Sequence, residues 1–281
     1  MIFGLYDFSN IPAPVDPGGA TGLPAESQWT EWVTIPRLAS ETTGDAQRVK
    51  SLTPFNGRLY VGYGDWERNT GPCDVISVSP DKTVQTHLSD VPTEALEKYV
   101  VGDGALFAPS IDPSWYFGPG GLTTNYGGTW RTIDIRPDMV HTLGFAASPD
   151  GAWWVCGSAL SASNNQIAYG VVYHSSDKGA TWIEKLRSNN AGSAIRFYDL
   201  AVDGVYTYVT GAKDDQGTLD IRRTKDGGAT WEVSSTFPSN GRQDPPVFPP
   251  LELSLSRAVQ MDGVWYAGGI NGKIYRLIEK T

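Results

Sequence analysis

The feature that most constrains this chain is a hairpin pattern written five times. Each copy is an apolar strand, a tight turn ending in glycine, and a second strand rich in aromatic residues. The copies run Arg48 to Gly62 with Asn56-Gly57 at the turn, Tyr99 to Ala108 with Asp103-Gly104, His141 to Gly157 with Asp150-Gly151, Ile195 to Gly211 with Asp203-Gly204, and Leu255 to Gly269 with Asp262-Gly263. Asn-Gly and Asp-Gly between alternating apolar residues are strong hairpin signals, because type I′ turns need positive φ at both central positions. The turn glycines fall at 57, 104, 151, 204 and 263. That spacing fits a sheet of four strands per repeat, as in the blades of a propeller. No long stretch carries a 3.6-residue apolar period, and Thr93 to Lys98 is the one segment expected to form a helical turn.

A second element follows three of the turns in phase. It reads Thr123-Thr124-Asn125-Tyr126-Gly127-Gly128-Thr129-Trp130, then Ser175-Ser176-Asp177-Lys178-Gly179-Ala180-Thr181-Trp182, then Thr224-Lys225-Asp226-Gly227-Gly228-Ala229-Thr230-Trp231. The pattern resembles the Asp-box, the bacterial neuraminidase repeat of sialidase-type propellers. The physics behind it is local. A carboxylate or amide oxygen takes nearby backbone N–H groups, a glycine supplies a φ other residues avoid, and the Trp packs into the sheet. Asn125, Gly127, Trp130, Asp177, Gly179, Trp182, Asp226, Gly228 and Trp231 are therefore read as structural staples. The resemblance implies that each box joins the third and fourth strands of a blade, on the face away from the ligand. Ser79-Pro80-Asp81-Lys82-Thr83 is a degenerate copy without the Trp.

The expected fold is all-β: a single β-propeller of about five four-stranded blades, spanning residues 28–281 behind an extended N-terminal arm at 1–27. The last repeat lacks a fourth strand, and Trp29 to Ile35 resembles an outermost strand, so the ring is expected to close by that N-terminal strand completing the last blade. Closure removes exposed sheet edges. A sixth blade requires hidden strands within Phe237 to Leu253. The Pro/Gly-rich stretches at 11–19 and 244–250 read as extended, stiff segments.

Charge and cysteine usage remove whole classes of function. The 31 acidic and 22 basic residues give a net charge of −9, against a protein that grips phosphate backbones. Nucleic acid is not an expected partner. Cys73 and Cys156 make neither a disulfide framework nor a zinc site, and the three His residues are scattered, so no metal and no cofactor is expected. The start of the chain lacks a secretory signal, and no run of 18 apolar residues occurs, so membrane insertion is not expected either. The chain is expected to be made in a cytoplasm.

Propellers present ligands where the innermost strands begin, at one end of the central channel, an argument from fold alone. The candidate ligand-binding residues at that end are Arg48, His141, Arg196 and Arg257, with Asp65, Trp66, Trp115 and Tyr198 beside them. Sialidases with Asp-boxes clamp a substrate carboxylate with three arginines, and Arg48, Arg196 and Arg257 come from three repeats. The family's Phe/Tyr-Arg-Ile-Pro motif is absent, and no nucleophile or acid/base residue can be assigned. The favoured expectation is therefore a non-catalytic recognition or structural module binding a host-surface glycan or protein. Residues 1–27 resemble the arms that anchor receptor-binding modules on neighbouring tail proteins of bacteriophage, which implies a virion component, with a purely cytoplasmic protein as the alternative. A glycoside hydrolase, sialidase-like or furanosidase-like and acting at the channel mouth, is the enzymatic alternative. An assembly factor of the Asp-box type is a third reading, opposed by the missing export signal.

Overall fold

The computed structural model describes residues 33–113, 120–161, 164–188, 196–212, 219–237, 259–261, 264–268 and 274–276. Within them the chain folds into five antiparallel sheets, and the fold is an almost all-β propeller. The first sheet runs β1 (Ser51–Phe55), β2 (Arg58–Gly64), β3 (Cys73–Val78) and β4 (Val84–Val91). Next along the chain come β5 (Thr93–Leu96), then β6 (Val100–Gly102) and β7 (Ala105–Pro109), β8 (Ile111–Pro113), β9 (Gly121–Thr124) and β10 (Arg131–Asp134). Strands β6, β7, β9 and β10 form the second sheet. The third is β11 (Met139–Ala147), β12 (Trp153–Ser161), β13 (Asn164–Ser175) and β14 (Ile183–Arg187). The fourth is β15 (Phe197–Val202), β16 (Thr207–Ala212), β17 (Leu219–Thr224) and β18 (Glu232–Phe237); β19 (Val259–Met261), β20 (Val264–Gly268) and β21 (Ile274–Arg276) make the fifth.

The turn chemistry follows the sequence, in two forms. Asn56-Gly57 and Asp103-Gly104 are two-residue turns with positive φ throughout, 47° and 73° in the first and 49° and 72° in the second. At Asp150-Gly151 and Asp203-Gly204 the connection is longer, and the aspartate works through its side chain. Asp150 Oδ1 accepts from the Ala152 N–H at 3.1 Å, and Asp203 Oδ1 from the Val205 and Tyr206 N–H groups at 2.8 and 2.6 Å. Asp262-Gly263 lies outside the described residues, although Met261 pairs with Val264 across it.

Thr93 to Lys98 is not helical. Its first four residues form β5, which pairs with the end of β2 and with β8, so the first sheet gains two strands beyond the expected four. Composition favours a helix there, but all four side chains are buried and the edge of β2 needs partners, so tertiary pairing overrides propensity. The helical pieces among the described residues are α1 (Pro36–Ala39) and a 3-10 turn at Trp66–Arg68. The strand expected at Trp29 to Ile35 falls mostly outside the described residues. Val33, Ile35 and Leu38 pack onto the core of the first sheet. The arm at 1–27 and the segment 238–258 also lie outside.

The core is not within sheets but between them. One apolar cluster joins the first sheet to Leu106 and Ala108 of the second. Another sets Val100, Phe107 and Leu122 against Phe145, Trp153 and Val155 of the third. A third sets Trp154, Cys156 and Val172 against Phe197, Leu200 and Val209 of the fourth. Each box sits between the third and fourth strands of its sheet, and its Trp leans back on the sheet before. Trp130 packs on Tyr60 and Tyr99, with ring centroids at 5.7 and 6.3 Å. Trp182, 6% exposed, enters the cluster shared with the second sheet. Trp231 donates its indole N–H to the Lys185 carbonyl at 3.0 Å and meets Trp154 edge-on.

The loop that carries each Trp is locked by its own hydrogen bonds. Asp177 accepts from the Thr181 N–H and hydroxyl at 2.8 and 2.6 Å, while Ser175 Oγ accepts from Gly179 N–H at 2.7 Å and donates to Asp177. Asp226, Thr230, Thr224 and Gly228 repeat the arrangement at 2.6 to 3.0 Å. These donors hold the Asp177 carboxyl down at about 2 and lower that of Asp226 as well. Asn125 differs: its Oδ1 accepts from Leu106 N–H at 2.8 Å, tying the box to the neighbouring strand. In the degenerate copy Asp81 keeps the role, accepting from Ser79 Oγ and from Thr83 N–H between β3 and β4. Because Trp182 is the most completely buried of the three box tryptophans, Trp182→Ala should cost about 3–5 kcal/mol of unfolding free energy. Trp231→Ala, at a half-buried site, should cost less; denaturant unfolding followed by circular dichroism checks the order.

Candidate functional site

Boxes and hairpin turns gather at one end of the sheets. Lys178 of the second box donates to the Gly151 carbonyl and to Asp103 Oδ2, at 2.7 and 2.6 Å, tying three such turns together. The opposite end, where β11 and β15 begin, is left to polar groups. Two of these are placed by the inserted pair β5 and β8, which bring Glu94 and Asp112 beside Asp65 at the end of β2.

His141, at the start of β11, is the hub. Its Nε2 lies 3.0 Å from Asp112 Oδ1, and its Nδ1 lies 2.6 Å from Ser158 Oγ on β12. Burial pushes the His141 imidazole down against the pull of Asp112, and Arg196 pushes it further the same way. A neutral ring between these partners donates from Nε2 to the carboxylate and accepts the Ser158 hydroxyl at Nδ1. The register that allows this depends on Gly157, opposite Thr142, because a Cβ there would stand 1.7 Å from the His141 carbonyl oxygen. Asp112 has φ of 56°, a left-handed conformation that costs a non-glycine residue of order 1 kcal/mol and recurs at functional positions.

Arg196 and Tyr198, entering β15, complete the cluster. Arg196 is 9% exposed and lies within electrostatic reach of Asp112, Tyr198 and His141. Burial lowers its guanidinium and raises the Tyr198 phenol. Glu94 is 5% exposed, and its Oε2 makes no hydrogen bond. Burial, then the Asp112 and Asp65 charges, push its carboxyl up to about 7. Further along the same strands Lys98 and Asp199 form an ion pair at 3.0 Å, linking the entry to β6 with β15. Among the described residues no group of three or more His, Cys, Asp or Glu is placed to hold a metal ion. No described helix is long and apolar enough to cross a membrane.

The candidates named from sequence thus separate. His141, Arg196 and Tyr198 come together. Asp65 is buried beside Glu94, where it caps the 3-10 turn and accepts the Thr43 hydroxyl at 2.7 Å, and Trp66 opens that turn half-buried. Arg48 projects to solvent and pairs with Asp45 at 3.3 Å. Trp115 and Arg257 lie outside the described residues. Glu94 was missed, since Thr-Glu-Ala-Leu-Glu-Lys reads as a solvated helix and gives no sign of burial. Ser158 was missed too; only its place one residue after the close-approach glycine marks it.

No protein-family model matches the chain, and no curated protein matches it by sequence. Solved structures do match in shape. Hydrazine synthase from Kuenenia stuttgartiensis superposes with a TM-score of 0.51 at 13% identity, over 80% of this chain and 69% of that one. The Hadza microbial sialidase Hz136 gives 0.46 at 13% identity, over 78% of this chain, and the β-xylosidase RS223 gives 0.42 at 12%, over 82% of this chain and 91% of that one. The chain spans about half the length of the sialidase, 52%. At such identities the likeness is one of fold.

The Glu94 shift has a stability consequence. Its native carboxyl titrates near 7 against 4.5 ordinarily, so the native state keeps a proton the unfolded chain releases. Stability from this group is therefore present below about pH 4.5 and is lost as pH rises through about 7. Glu94→Gln removes the dependence. Its melting temperature relative to the parent should climb between about pH 5 and pH 8, and a flat difference in calorimetry would show that Glu94 is not the titrating group.

Proposed function

We propose that this propeller is a recognition module whose axial mouth, at the starts of β11 and β15, binds a glycan or protein on a host surface. The observation that carries the reading is the convergence of Glu94, Asp112, His141, Arg196 and Tyr198, drawn from strands of different sheets and largely buried at one end. Side chains held in this way are pre-oriented, which lowers the entropy a ligand must overcome. Arg48 points to solvent, so it adds nothing to a three-arginine clamp, and this favours recognition over sialidase chemistry. The wider setting is a virion: a tail component made in a host cytoplasm, joined to neighbouring tail proteins through residues 1–27. The support for that setting is the sequence of the arm alone.

One observation favours a second reading. Glu94 sits near neutrality beside two other carboxylates, the division of labour a glycoside hydrolase needs between a protonated acid and an ionised base. Binding to a glycan array and hydrolysis of aryl glycosides separate the two. Recognition predicts glycan binding that weakens about tenfold or more in Arg196→Ala, with no release of the aryl group. Turnover abolished in both Glu94→Gln and Asp112→Asn would replace recognition with catalysis.

A further inference from the structure

On β12 every second residue faces the fourth sheet, and the row changes character at the mouth. Trp154 and Cys156 enter the apolar cluster shared with that sheet, and Ser158 is next in the row. Opposite Ser158 stand His141 on β11 and Gly170 on β13. A Cβ at Gly170 would stand 3.2 Å from the Arg196 carbonyl carbon and from the Phe197 ring, so the fourth sheet lies close against this row. An apolar side chain at 158 would extend the joint. A hydroxyl stands there instead, 0% exposed, and it meets His141 Nδ1 at 2.6 Å. A buried hydroxyl is costly unless bonded, so the bond to His141 accounts for the serine.

His141 passes the constraint on. A ring whose Nδ1 accepts from Ser158 carries its proton on Nε2, the atom 3.0 Å from Asp112 Oδ1. The backbone at Asp112 is fixed independently, since the Thr93 hydroxyl lies 2.8 and 3.0 Å from the Ile111 and Asp112 carbonyls. Exposure rises along the line, from 0% at Ser158 to 12% and 26% for the side chains of His141 and Asp112. A serine nucleophile needs the reverse, with its hydroxyl open to substrate, so here the same three residue types serve to aim the carboxylate.

We propose that Ser158 is a positioning residue of the mouth: its hydroxyl fixes the His141 ring with the proton on Nε2, and that ring holds Asp112 as an oriented acceptor for a ligand hydroxyl. The inference rests on the reading of this end as a ligand site. The ring takes Asp112 Oδ1, which leaves Oδ2 to accept from a ligand. Protonation of the ring would undo the arrangement. A charged His141 would donate from Nδ1, and the Ser158 hydroxyl would have to turn its own proton to another acceptor at a site closed to water. Asp112 from β8 favours that charge, and Arg196 at the entry to β15 opposes it. The serine hydroxyl acts in the same direction as Arg196.

The test is long-range proton–nitrogen NMR of the imidazole rings, with His141 identified among the three histidines by its loss in His141→Gln. The parent ring should be neutral at about pH 7 with its proton on Nε2. In Ser158→Ala the His141 titration midpoint should rise by about one pH unit, a tenfold change in proton affinity. Ser158→Thr, which keeps the hydroxyl, should return it to the parent value. On a glycan array Ser158→Ala should weaken binding about threefold or more, and Ser158→Thr should restore it. A hydroxyl that merely packs would lower the melting temperature of Ser158→Ala and leave the ring's tautomer and titration in place, which would overturn the positioning role whatever the mouth binds. A changed ring with undiminished glycan binding would overturn the link through Asp112 and leave the mouth standing. Failure of the parent to bind any glycan would overturn the ligand mouth and the part of Asp112 in it.

Discussion

The structure depends on the fact that none of its sheets buries its own faces. Each of the three apolar clusters is shared between consecutive sheets, so a sheet alone would expose Phe107, Trp153 or Phe197 to water. The hydrophobic effect therefore acts across the joints, and the joints are where the box tryptophans sit. The hydrogen bonds around Asp177 and Asp226 contribute little as surface interactions, but they aim Trp182 and Trp231 at the preceding sheet. Local turn chemistry is thereby converted into the packing of neighbours.

That division of labour leaves the far end free. Turns and boxes hold one end of the molecule through short, self-contained loops, and Lys178 ties them to one another. At the other end polar groups gather instead. Buried hydroxyls lack partners there, Asp112 adopts a left-handed backbone, and Glu94 resists ionisation. Three of these features fall where the ligand is proposed to bind, a pattern found where a rigid scaffold carries a site.

The sequence made the scaffold legible because its signals are local. Asn56-Gly57 and Asp103-Gly104 dictate their turns through φ alone, and the boxes announce their joints by residue type. The candidate site was half legible. His141, Arg196 and Tyr198 could be placed from repeat phase, since each stands where an innermost strand begins. Glu94 could not, because its strand exists only through pairing with β2 and β8, and its neighbours in sequence favour a helix. Arg48 stands at an equivalent phase yet pairs with Asp45 on the surface; repeat phase fixes where a backbone begins and not which way a long side chain turns.

The ion pair between Lys98 and Asp199 joins the entry of the second sheet to the first strand of the fourth, passing over the third. It acts as a chord across an arc, and a chord of fixed length sets the curvature of the arc beneath it. Repeat proteins commonly change size by duplicating a unit. Here a unit duplicated between these two residues would carry Lys98 beyond reach of the Asp199 carboxylate, which is 1% exposed. Growth by duplication is thereby restricted to repeats outside the stretch between Lys98 and Asp199.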